Sequence, residues 1–185
     1  MNLTSERIAL LAERLRLPDL PAELPVLAEQ AAARSWSFAE FAEALLAHSA
    51  EAADRRAEAT LQRLASFPYR KSLADFDFGF QPTVSEKQLR ELASCAYLER
   101  RENVVLLGPP GVGKSHLAVA LGLEACRRRH RVRFTTAARM IASLAEAREG
   151  ATFSHRLLSF TRPSLLIVDE VGFLPLDPLT SASTC

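Results

Sequence analysis

The stretch that most restricts this chain is GPPGVGKS, Gly108 to Ser115, set between the apolar run NVVLLG and the amphipathic run KSHLAVALGLEACRRR. Gly, four residues, Gly, Lys and Ser is the spacing of a phosphate-binding loop, and it stands between a predicted strand and a predicted helix, as that mechanism requires. Gly108, Gly111 and Gly113 permit backbone angles and close approaches that a side chain would block. The amide hydrogens of these glycines, with those of Val112 and of the following helix's first turn, are placed to meet phosphate oxygens. Pro109 and Pro110 belong to the same nucleotide-binding loop, Lys114 adds a positive charge, and the Ser115 hydroxyl suits Mg²⁺. His116 belongs to the same stretch by position, although packing at the helix start suits it better than catalysis.

A second run gives the loop its chemical partner. LLIVDE, Leu165 to Glu170, reads as a buried strand with two carboxylates at its C-terminal edge, where parallel sheets place ligand chemistry. Asp169 suits the Mg²⁺ site through a bound water, and Glu170 suits the base that orients the attacking water. Asp169 lies 54 positions after Ser115, which leaves room for a helix–strand–helix crossover. RVRFTT fills the strand of that crossover, AARMIASLAEAR and FSHRLLSF its helices. Strand and helix alternate from residue 103 onward, which predicts an α/β fold with a parallel sheet of the phosphate-loop type.

The rest of the chain reads differently. Residues 1–66 predict an all-α module: a short helix with Ser5 as N-cap and Pro18 beyond its end, a fresh start among Pro18, Pro21 and Pro25, and a long Ala-rich helix opened by a Ser37/Glu40 capping box. Residues 67–85 read as a linker in which Phe76, Phe78 and Phe80, at period two, anchor it to the next domain's core rather than stack on bases. One helix is expected over 86–101, capped by Ser85 with Gln88 three positions on. Residues 86–185 form the nucleotide-binding part.

The net charge is +1, but it is unevenly distributed. Residues 1–75 carry 9 basic and 11 acidic side chains, whereas residues 86–148 carry 12 basic and 6 acidic. The arginines of RRRHRVR (Arg127, Arg128, Arg129, Arg131 and Arg133) exceed what a helix dipole needs and are candidates for the backbone of DNA. Three widely spaced cysteines, Cys95, Cys126 and Cys185, fit a reducing cytosol and give neither a disulfide framework nor a zinc site. No apolar run reaches the roughly 18 residues needed to span a bilayer, and the N-terminus lacks the pattern of a signal peptide.

Taken with DFDFGFQP, ERRENVVLLGPPGVGKSHLAVALGLEA, RVRFTTAA and LLIVDEVGFLPLD, the sequence resembles the IstB-type ATP-binding proteins of bacterial insertion sequences, AAA+ relatives of DnaC-like helicase loaders. The resemblance runs from the helical module to about Asp177. It implies a homo-oligomeric ATPase that engages double-stranded DNA and presents it to the transposase of the same element, with Gly108–Ser115 on the phosphates and Asp169 and Glu170 serving Mg²⁺ and water. It also implies strand order 5-1-4-3-2. Family members continue past Asp177 with two strands, a sensor residue, an arginine finger and a helical lid, whereas PLTSASTC resembles none of these. The expectation is therefore a C-terminally truncated, incomplete sheet with impaired hydrolysis. Its rivals are a replicative helicase loader of the same fold and a non-enzymatic or unstable fragment.

Overall fold

The computed structural model describes residues 3–79, 84–147 and 151–173. The chain divides into two compact units, Met1–Ala59 and Thr60–Cys185, so the division falls a few residues before the boundary expected at 66.

The first unit is helical: α1 (Leu3–Arg14), α2 (Leu20–Arg34) and most of α3 (Phe38–Leu64). Ser5 lies inside α1 instead of capping it, because the helix begins two residues earlier. Pro18 follows its end, and α2 carries Pro21 in its first turn, where the missing N–H costs nothing. The capping box of α3 forms as expected. The Ser37 N–H donates to Glu40 Oε2 at 2.7 Å and the Glu40 N–H donates to Ser37 Oγ at 3.3 Å. An ion pair of Arg56 with Asp19 ties α3 to the start of α2.

The second unit holds the α/β part. α6 (Lys114–Arg127), β1 (Val132–Thr136), α7 (Ala137–Glu146), α8 (Ala151–Thr161) and β2 (Leu165–Asp169) follow the alternation read from the sequence. β1 and β2 pair in parallel with Val132 opposite Leu165 and Thr136 opposite Asp169. Their inward residues Val132, Phe134 and Ile167 pack on Val119, Ala125 and Cys126 of α6, all buried. Each large apolar side chain buried there contributes about 1.5–3 kcal/mol. The close approach of helix and sheet needs Gly122, since a Cβ there would stand 2.7 Å from the Phe67 ring and 2.8 Å from Ile167 Cδ1.

Two expectations are corrected. The helix expected over 86–101 is two, α4 (Glu86–Ala93) and α5 (Ala96–Glu99), broken at Cys95 with φ 63°. Burial of Cys95 in the α6–sheet core and of Leu89 against Leu117 requires the chain to turn between them, and tertiary packing overrides helix propensity. The Ser94 hydroxyl steadies the break by accepting from the Ala96 N–H.

The second correction concerns NVVLLG. Among the described residues, the run 103–107 joins no sheet, although its sequence predicts a strand. Only Leu106 packs, on the cluster of Phe76, Leu89 and Leu117, while Val105 is 72% and Leu107 88% exposed. Strand formation needs a neighbour to pair with, and β2 has its neighbour on the side of β1. In the strand order that the resemblance implies, the run before Gly108 and β2 share a strand between them; they are not adjacent here either. PLTSASTC and Phe80 lie outside the described residues.

Candidate nucleotide site

Loop 108–113 leads from the unpaired run into α6, whose N-cap Gly113 has φ 88°. A side chain at Gly113 would be strained by that angle and would meet the Phe76 ring at 2.7 Å. Gly111, at φ 83°, has open space around it, so its requirement is one of backbone angle alone. The Lys114 ammonium curls back over the loop and donates to the carbonyls of Gly108 at 2.9 Å and Pro109 at 2.7 Å. Those two bonds hold the loop in shape and keep the charge over it.

A cavity of about 950 Å³ opens on this loop. Gly108, Gly111, Lys114 and Ser115 line one side, and Asp169 and Glu170 at the end of β2 line another. Parallel pairing puts Asp169 beside Thr136, at the C-terminal edge of the sheet, where α6 also begins. The Glu170 N–H donates to Asp169 Oδ1 at 2.9 Å. Glu170 itself takes a left-handed φ of 58°, a conformation that costs a non-glycine residue about 1–3 kcal/mol and collects at functional sites. The fold thus brings together on one cavity the loop and the acid pair that are 54 positions apart in sequence. Pro110 also lines it, while Pro109 contributes its carbonyl to Lys114. The unpaired run 103–107 forms a further wall, with Ala118 and Leu121 of α6.

The linker contributes more than its sequence suggested. His116 Nε2 sits 2.9 Å from the Ser72 carbonyl, and its ring meets Phe76 edge-on at 5.4 Å. Phe76, itself edge-on to Phe78 at 5.1 Å, is buried over the start of α6. His116 therefore fastens the linker to the loop's exit. Asp75 closes a small capping box: Ser72 donates to it from hydroxyl and backbone, and those bonds hold its carboxyl below the usual range. Tyr69 is the residue that sequence reasoning missed. Burial, and then the Asp169 charge, raise its phenol above the ordinary value. Only its aromatic character in a Pro-rich stretch could have singled it out.

The arginine cluster is dispersed. Arg127 pairs with Glu124 at 3.1 Å, and Arg128 Nε donates to the Ala93 carbonyl at 3.1 Å. Arg129, at φ 67°, closes α6 with the bonds Arg129 N–H to Cys126 O and His130 N–H to Ala125 O. Arg131 and Arg133 line a separate pocket beside β1.

A loop of this form at the head of a helix, facing an acidic strand end across one cavity, defines a phosphate-loop nucleotide-binding protein of the α/β class. Comparison with known proteins narrows this. The family of IstB-like ATP binding proteins matches residues 10–183, and the chain belongs to that family. It is 39% identical over 175 residues to the "putative ATP-binding protein" of insertion sequence IS5376 from Geobacillus stearothermophilus, covering 94% of this chain and 69% of the relative. The like-named protein of IS21 from Pseudomonas aeruginosa is 39% identical over 170 residues, 92% of this chain and 64% of its own. That of IS232 from Bacillus thuringiensis subsp. berliner is 32% identical over 166 residues, 90% and 66% respectively. The chain thus spans about two-thirds of the length of these relatives. Among the described residues no helix is long and apolar enough to cross a membrane, and no three His, Cys, Asp or Glu side chains cluster as metal ligands.

Proposed function

We propose that the chain is the ATP-binding helper of an insertion sequence, which with ATP engages double-stranded DNA and the transposase of the same element as a homo-oligomer in the cytoplasm. The observation that carries the reading is the shared cavity of Gly108–Ser115 and Asp169–Glu170. The names of the relatives support its place in an insertion sequence, and the basic balance of residues 86–148 supports an anionic partner larger than ATP.

Each residue has a task in this reading. Backbone N–H groups of Gly108, Gly111, Val112 and Gly113 and of the first turn of α6 donate to the phosphate oxygens. Lys114 exchanges its two carbonyl contacts for phosphate oxygens, at little cost because its donors stay satisfied. The oxygen donors Ser115 and Asp169 line the same cavity and fit a hard cation, so they would hold Mg²⁺. Bound there, the ion would neutralise phosphate charge. Glu170 orients the attacking water, with its backbone N–H held by Asp169. Arg127, Arg128 and Arg129 lie at the end of α6 and are the arginines proposed for the DNA backbone.

This 185-residue chain binds nucleotide better than it turns it over. Among the described residues its loop is mounted on a run without a sheet partner, so the positioning that hydrolysis demands rests chiefly on α6. Fluorescence anisotropy with labelled duplex DNA, with and without ATP and Mg²⁺, tests the reading. Binding that requires ATP and weakens steeply with salt is expected; binding indifferent to nucleotide, or none, overturns it.

A further inference from the structure

A second pocket, of about 300 Å³, lies beside β1 and away from the nucleotide cavity. Its apolar wall is Leu61, Leu64 and Leu158, its cations are Arg131, Arg133 and Arg162, and His155 also lines it. Among the described residues no acidic side chain lines it.

Backbone bonds fix the walls. The Phe134 N–H donates to Ala65 O at 2.8 Å, which pins the turn after Leu61 and Leu64 against β1. The Arg131 carbonyl accepts from Ser164 at 2.8 Å and from Leu165 at 3.1 Å, which sets the end of α8 beside the start of β1. The Arg133 guanidinium stacks 4.5 Å above the Phe160 ring, and its Nε is buried with no hydrogen-bond partner. Among the described residues, the side chains of Arg131 and Arg162 also enter no hydrogen bond or ion pair. Leucines remain exposed at the rim, Leu64 at 67% and Leu158 at 41%.

Three arginines converging without a counter-charge call for an anion, and their planar forks suit carboxylates. Exposed ion pairs are weak by themselves, so the leucines must be covered by the same ligand for binding to be stable. Duplex DNA answers the charge but not the concave leucine wall, because its interfaces are polar and wet. We infer that this pocket docks an acidic segment of a partner polypeptide, with an apolar anchor side chain on the leucines and flanking carboxylates on Arg131, Arg133 and Arg162. The recognition is the acidic-motif mode of arginine clusters joined to one hydrophobic anchor. It separates Arg131 and Arg133 from the other arginines of RRRHRVR.

The test uses the full chain and a fluorescein-labelled dodecapeptide in which Leu and Phe stand between pairs of Glu. Saturable binding is expected, weakened about tenfold or more by Arg131→Glu/Arg162→Glu, by Glu→Gln in the peptide, or by Leu and Phe→Gly in the peptide, with duplex-DNA affinity of the variant within about twofold of the parent. Circular dichroism melting of the variant checks its fold. Should it not fold, Leu64→Ser and a salt titration of the parent replace it, and both are expected to weaken the peptide complex. No saturable binding at low salt, binding untouched by these changes, or a variant that loses DNA but keeps the peptide each overturns the proposal. The last result would make the pocket a nucleic-acid contact. Since the peptide assay needs neither ATP nor transposase, its outcome is separate from that of the helper reading.

Discussion

NVVLLG and LLIVDE are nearly interchangeable as strings of apolar residues, yet among the described residues one joins no sheet and the other is a paired strand. β2 has β1 beside it and α6 beneath it, and Ile167 is buried between them. Among the described residues the run 103–107 enters no sheet, and Leu106 packs on α4, α6 and the linker while Val105 and Leu107 stay exposed. The difference teaches that an apolar run acquires strand identity from its neighbour. It also separates two aspects of the nucleotide site: the acids are mounted on a paired strand, the loop on an unpaired one.

Substitution sharpens this contrast. Ile167→Ala removes a buried side chain from the α6–sheet core and should destabilise the second unit by about 2–4 kcal/mol. Val105→Ala, at a mostly exposed position, should change stability by less than about 0.5 kcal/mol. Urea unfolding of both variants checks the pair, and equal losses would show that the run is packed after all. Gly113→Ala comes next, with an expected cost of about 1–3 kcal/mol and loss of nucleotide binding, because the left-handed angle and the Phe76 ring both oppose a Cβ. Nucleotide binding retained by that variant would mean that linker and loop are less closely joined than the geometry shows. In hydrogen exchange, the amides of Val132–Thr136 should exchange far more slowly than those of Val104–Leu107.

The smallest effect is expected in the helical unit, where structure is set by local contacts. Glu40 is held below its ordinary value of 4.5, first by the Ser37 backbone N–H and then by its hydroxyl. A carboxyl depressed in the folded state contributes stability that is present above its unfolded pKa and is lost as pH falls through the folded one. The difference in melting temperature between the parent and Glu40→Gln should therefore be visible near neutral pH and fade as the pH falls below the carboxyl's ordinary 4.5. A difference that persists in acid would show that the carboxylate charge is not its source.

Much of this was legible in the sequence. Glycines at fixed spacing announced the loop, and apolar continuity with a terminal acid pair announced β2. The Ser37/Glu40 spacing marked the start of α3 because a capping box is a local device. What escaped depends on packing at a distance. The break at Cys95 follows from burying two faces that one straight helix could not bury. The fate of 103–107 was hidden because a strand's partner cannot be read from the strand. His116, Tyr69 and the pocket of Arg131, Arg133 and Arg162 are assembled by the fold from segments far apart. The cluster RRRHRVR looked like one feature and is divided by the end of α6 at Arg127.

Calorimetric titration of ATP with Mg²⁺ into the parent chain and into Lys114→Ala tests most directly whether the loop is a formed phosphate site despite its unpaired mount. The parent should bind, and loss of charge-assisted bonds should weaken the variant about 10- to 100-fold. Equal affinity in the two, or no binding by the parent, would contradict the account.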